Sequence, residues 1–167
     1  FMWSRIILFI VSISFVYSAS AQQYEGSAEL MEINEQTAIF KVESYADKKD
    51  DVIEVAKKTL IYKLLYEGVE DFYDGKMLKE TDRSQYYLDN FFKGGNKAPY
   101  NAFIDGAQLE GDVENLPSGS YKGTVNVVLK YSFLFSTLRT NKIMIDPNEK
   151  EVENQPAQKK KTFKINR

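Results

Sequence analysis

The chain has 167 residues, 22 basic against 24 acidic, with 43% hydrophobic and 28% charged side chains and neither histidine nor cysteine. The two zeros exclude an imidazole general base, a Ser-His-Asp triad, a thiol nucleophile, disulfides, and cysteine-ligated zinc or iron–sulfur clusters. The near balance of charge leaves no electrostatic footprint for nucleic acid, and the length suits about one domain able to bury a real core.

With Met2 as the expected initiator, Arg5 precedes the apolar run Ile6 to Val11 and its continuation Ser12 to Tyr17. Small residues then stand at Ala19 and Ala21, the two positions a signal peptidase reads, so residues 1–21 are expected to be a signal peptide cleaved after Ala21. The run is shorter than the roughly 20 apolar residues of a spanning helix and is broken by serines, so no integral membrane span is expected in the mature form. No cysteine follows for lipid attachment, and no Asn-x-Ser/Thr sequon occurs, which fits a bacterial periplasm.

Residues 22–145 read as one α+β domain. Ser27 to Ile33 and Thr37 to Tyr45 are β-prone runs around the polar turn Asn34-Glu35-Gln36, the pattern of an antiparallel hairpin. In the second run Ala38, Phe40 and Val42 share one face, and Lys41 and Glu43 share the other. A long amphipathic helix follows. Ile53, Ala56, Leu60 and Leu64 recur at helical spacing, Asp51 with Glu54 forms a candidate capping box, and Gly68 supplies the stop.

The middle of the chain is rich in aromatics. Thr81 or Asp82 is placed to cap a helix to about Lys93, ended by Gly94-Gly95, with Tyr87, Leu88, Phe91 and Phe92 on its apolar face. Rings that stack and hydroxyls that bond make the segment 86–100 a candidate surface for sugars or peptides, with Tyr86, Tyr87, Phe92 and Tyr100 as its binding residues. The commoner arrangement puts Leu88, Phe91 and Phe92 in the core and the tyrosines at its rim. Beyond this, Asn101 to Glu110 reads as a strand, Gly111 to Gly119 as a loop, Tyr121 to Tyr131 as a strand, and Ser132 to Met144 as a short helix capped by Ser132. The sum is an antiparallel sheet of about four strands with one long amphipathic helix and one or two shorter helices packed on it.

Residues 146–167 have few apolar side chains to offset ordering entropy and are expected to form a mobile polar tail. Lys159, Lys160 and Lys161 are candidates for an acidic partner or for peripheral contact with lipid head groups. Chemistry is otherwise sparse. There is no Walker loop, GxGxxG or GxSxG, and none of the acidic residues has calcium-loop spacing, so no cofactor, metal or catalytic residue is expected. Glu110 or Asp112, near the aromatics, is a nominal candidate for glycoside hydrolysis by a carboxylate pair, which requires two carboxyls about 5 to 9 Å apart.

The order hairpin, helix, aromatic middle, strand pair, final helix resembles the N-terminal domain of flagellar assembly protein T and related small secreted or outer-membrane lipoproteins of Gram-negative bacteria. Val42 to Tyr45, Asp50 to Leu60, Tyr86 to Gly95, and Thr124 to Lys130 with Phe133 to Arg139 carry the resemblance, over about residues 27–144. It implies an exported, non-catalytic cell-envelope protein, periplasmic or outer-membrane-associated or extracellular, that binds another envelope or surface protein or serves in assembly. A carbohydrate-binding or carbohydrate-cleaving protein using residues 86–100 is the alternative.

Overall fold

Asn34 decides where the first hairpin turns. Its side-chain oxygen accepts from the backbone N–H groups of Gln36 and Thr37, each at 2.9 Å, and its amide donates to Thr37 Oγ1 at 2.8 Å, a local network that competes with extended pairing and closes the chain on itself. In the computed structural model, which describes residues 24–145, this turn joins β1 (Gly26–Ile33) to β2 (Ala38–Ala46). The expected signal peptide and the expected tail, with Lys159, Lys160 and Lys161, lie outside the described residues.

A 3-10 turn, Lys49–Asp51, leads into α1 (Val52–Tyr66). The expected capping box does not form. Asp51 has helical dihedrals and makes no side-chain cap bond, and Glu54 bonds instead to Lys57 and to Tyr100, far along the chain. Gly68 ends the helix as expected, at φ +90°, with its N–H on the Lys63 carbonyl at 2.7 Å. Thr81 caps α2 (Asp82–Leu88) by accepting from the Ser84 N–H at 3.2 Å. α2 stops five residues short of the expected end, because Asp89 and Asn90 favour turns over helix interiors and the Phe91 N–H turns back to the Leu88 carbonyl.

Pro99–Phe103 is a 3-10 turn rather than the start of a strand. Strand β3 then runs through Ile104–Asn115, well past the expected boundary. Gly111, at φ +73°, serves an irregularity inside β3 rather than opening a loop, and the turn to β4 (Tyr121–Leu129) is confined to 116–120. The last helix, α3 (Tyr131–Thr140), begins two residues before the start that a Ser132 cap would give, ends four residues before the expected Met144, and has no side-chain cap. The Ser132 N–H donates to the Gln36 carbonyl, and the Tyr131 hydroxyl to the Asn34 carbonyl at 2.6 Å, so the hairpin turn itself seats the helix start.

The four strands form one antiparallel sheet in the order β1-β2-β4-β3. Strict alternation along the two central strands gives each face its character. Ala38, Phe40, Val42, Ser44 and Ala46 of β2 and Gly123, Val125, Val127 and Leu129 of β4 are buried, and α1 packs across them with Val52, Ala56, Leu60, Ile61, Leu64 and Leu65. Each such aliphatic side chain contributes about 1.5–3 kcal/mol by leaving water. Gly123 is required where α1 comes closest, since a Cβ there would meet Val52 Cγ1 at 2.5 Å.

Candidate functional site

Among the described residues no helix packs over the other face of the sheet. Its rows follow from the register. Ile39 stands opposite Val128, Lys41 opposite Asn126, Glu43 opposite Thr124 and Tyr45 opposite Lys122, with Gly106, Gln108 and Glu110 of β3 continuing them outward. Two bridges cross this face, Lys41 to Glu110 and Lys122 to Glu43, both at 3.1 Å. The Tyr45 hydroxyl donates to Glu43 at 2.7 Å. That bond, reinforced by Lys122, holds the Glu43 carboxyl below its ordinary range, and Glu43 in turn raises Lys122 and Tyr45. These groups are solvated, so the bridges order the surface more than they stabilise it.

At one end the charges give way to an apolar floor. Met31, Ile39, Val128 and Gly106 follow one another across the four strands, and with Lys41, Gln108, Glu110 and Asn126 they line a depression of about 700 Å³. Met31 is 52% exposed. Nothing in the sequence pattern marked this place. Gly106 and Met31 belong to different edge strands, and only the register brings them to one end.

The aromatic segment divides sharply. Tyr86 is 82% exposed, Tyr87 and Phe92 are half-buried, and Tyr100 is fully buried. Arg83, Tyr86, Tyr87 and Asn90 recur at helical spacing from α2 into the turn after it, and with Asn141 after α3 they bound a recess of about 660 Å³. Tyr100 belongs elsewhere. Its hydroxyl donates to Glu54 in the first turn of α1, its ring lies 5.7 Å from Phe92, and Lys58 sits 6.0 Å over it. Burial, and then the Glu54 carboxylate, push the Tyr100 hydroxyl well above its usual range. Burial also acts to raise Glu54, but hydrogen bonds from Lys57 and Tyr100 and the nearby ammonium charges outweigh it and hold the carboxyl low. Tyr24, Tyr62 and Tyr66 extend the ring cluster, Tyr24 stacked on Tyr62 at 4.8 Å and 18°.

The carboxylates considered for hydrolysis both lie on β3. Glu110 is tied to Lys41 on the open face, and Asp112 lies in the irregular stretch of β3 where the register shifts. Among the described residues, no group of three or more acidic side chains is arranged to hold a metal ion, and no helix is long and apolar enough to cross a membrane. Comparison with protein-family models, with curated proteins and with solved structures gave no match to this chain.

Proposed function

We propose that the chain is an exported, non-catalytic cell-envelope module that binds another envelope or surface protein through the open face of its sheet. One observation carries this reading. A sheet face that is apolar at one end and charge-paired along the rest is ready for a partner at the apolar end only, because the rim charges already have their ions. A protruding apolar side chain of the partner would seat against Met31, Ile39 and Val128, with Gln108 and Asn126 bonding its backbone. The burial of Phe91 and Tyr100 supports the same reading, since it withdraws two of the segment's five rings from the surface. The resemblance to assembly domains of the Gram-negative envelope is in keeping with it.

In-cell crosslinking from a photoreactive group placed at Gln108, followed by identification of what is captured, tests the proposal. A discrete partner is expected, and Val128→Lys should abolish its capture while leaving thermal unfolding unchanged. Capture that persists in Val128→Lys would refute the face as the site.

The recess beside α2 supports a second reading, in which Tyr86 stacks on a sugar and Asn90 and Asn141 bond its hydroxyls. Saturable binding of a polysaccharide or cell-wall fragment, lost in Tyr86→Ala with Tyr87→Ala, would favour it over the first.

A further inference from the structure

A further recess, of about 470 Å³, lies where the β1–β2 turn meets the start of α3, and neither reading above uses it. Turn and helix are fastened to each other, by the Ser132 N–H on the Gln36 carbonyl and the Tyr131 hydroxyl on the Asn34 carbonyl. Two walls are therefore in place before anything enters. A bulge supplies the third. β3 passes from Ile104 opposite Leu129 to Gly106 opposite Val128, so Asp105 is the extra residue, and a bulge of this kind re-aims a side chain. Asp105 lines the recess beside Lys130, which follows the last residue of β4. Ser132, Phe133 and Ser136 line it from one side of α3, as their spacing of three and four requires. The Phe133 ring is braced by Phe103, with centres 5.1 Å apart, and is still 51% exposed.

The polar groups here are unspent. Among the described residues the side chains of Gln36, Asp105, Lys130, Ser132 and Ser136 make no hydrogen bond or ion pair, unlike the bridged charges of the open face. Asp105 and Lys130 share the recess without pairing, and their charges cancel, so it selects neither an anion nor a cation. A purely apolar occupant would desolvate these groups and leave them without partners, which is costly. A sugar suits them better. Each of its hydroxyls both donates and accepts, so neighbouring hydroxyls can donate to the Asp105 carboxylate and accept from the Lys130 ammonium. The Gln36 amide and the two serine hydroxyls can do either. The C–H groups on one side of a sugar ring carry slight positive charge and suit the electron-rich face of Phe133. We propose that this recess binds one ring of a neutral carbohydrate, stacked on Phe133 and hydrogen-bonded between Asp105 and Lys130. The volume lies within the range of about 300–1,000 Å³ that small-molecule sites occupy. The site is separate from the open face and from the recess beside α2, and it stands if either of those readings fails.

NMR titration of the isotope-labelled full chain with glucose, galactose, mannose and N-acetylglucosamine tests it. At least one of these sugars should shift the amides of Gln36, Asp105, Ser132, Phe133 and Ser136 saturably, with a dissociation constant on the order of 1 mM. Phe133→Ala should weaken that binding about tenfold and Phe133→Trp should preserve it. Asp105→Ala, at an exposed position, should weaken it by about the same factor. Unchanged amide positions in β2 and β4 confirm that each variant folds. Tyr86→Ala with Tyr87→Ala should leave the binding as it was. Absence of a saturable shift with every sugar would overturn the proposal, and so would shifts that neither Phe133→Ala nor Asp105→Ala alters. Glycylglycine serves as a zwitterionic probe. Saturable shifts of the same amides with glycylglycine and none with the sugars would overturn the proposal by assigning the recess to a peptide terminus.

Discussion

Removing one oxygen atom from Tyr100 tests how the aromatic middle is fastened to α1. The hydroxyl is the link between the 3-10 turn Pro99–Phe103 and the Glu54 carboxylate, and Tyr100→Phe deletes it while keeping the ring against Phe92 and beneath Lys58. Hydrogen bonds to a charged group contribute about 1.5–3 kcal/mol. Glu54 keeps Lys57 at 2.8 Å, and its side chain remains 24% exposed, so water and the ammonium replace part of what is lost. The expected cost is therefore near the lower end, about 1.5–2 kcal/mol. Glu54→Gln leaves the shape and removes the charge, and it should cost a similar amount.

Urea unfolding of the wild type, the two single variants and the double variant at pH 7 closes the cycle. A coupling of at least about 1 kcal/mol is expected, with unchanged urea dependence. The sign of its pH dependence also follows. Glu54 is held below its ordinary value of 4.5, so its contribution is complete above that pH and fades as pH falls through the lower folded value. Tyr100 is raised above its ordinary value of 10.0, so its contribution is complete below pH 10 and fades as pH rises toward the folded value. A coupling below about 0.3 kcal/mol at pH 7, or one that persists undiminished at pH 2, would show that the Tyr100–Glu54 bond does not fasten the aromatic middle to α1.

Three further substitutions probe other parts of the fold. Gly123→Ala inserts a methyl 2.5 Å from Val52 Cγ1 and 3.3 Å from Leu109 Cδ1; it should cost about 1–3 kcal/mol by pushing the start of α1 off the sheet, measured as a lowered urea midpoint with helical circular dichroism retained. Thr59 is fully buried and its hydroxyl has no partner among the described residues, so Thr59→Val should stabilise by about 1 kcal/mol, read as a rise in melting temperature of about 4 °C. Asn34→Ala removes three hydrogen bonds that shape the β1–β2 turn; a loss of about 1–2 kcal/mol is expected in the same unfolding assay, and a neutral result would mean that pairing of the strands alone sets the turn.

What the sequence makes legible here is what is local. Alternation along β2 assigned the buried face correctly, and Thr81, Gly68 and the Asn34 turn act where their chemistry says they should. The errors share a cause in contacts distant along the chain. Asp51 and Glu54 have the spacing of a capping box, yet Tyr100 competes for the Glu54 carboxylate from 46 residues away. Gly111 reads as a turn because glycine at positive φ is ordinarily one, whereas pairing of Glu114 with Lys122 carries β3 past it. Tyr86 and Tyr100 are equally plausible as surface residues from their neighbours, and only packing separates an 82% exposed ring from a fully buried one. The depression in the open face depends on Gly106 meeting Val128 across strands, a pairing no local pattern displays.

The distribution of charge over the sheet also bears on how the molecule stays separate from its copies. Two identical sheets associate most readily edge to edge, by β1 meeting β1, β3 meeting β3, or one meeting the other. With acidic charge alone on both edge strands, each of these pairings sets carboxylates against carboxylates, and like charges directly opposite are destabilising in a strand pair. The barrier matters most at β1, since the irregularities in β3 break its outward groups into short runs while β1 stays regular from Gly26 to Leu30. Neutralising Glu29 and Glu32 with Gln should therefore relax the barrier to self-association, read as a mass that rises with protein concentration, and an unchanged monomeric mass would show that charge on this edge is not what keeps copies apart.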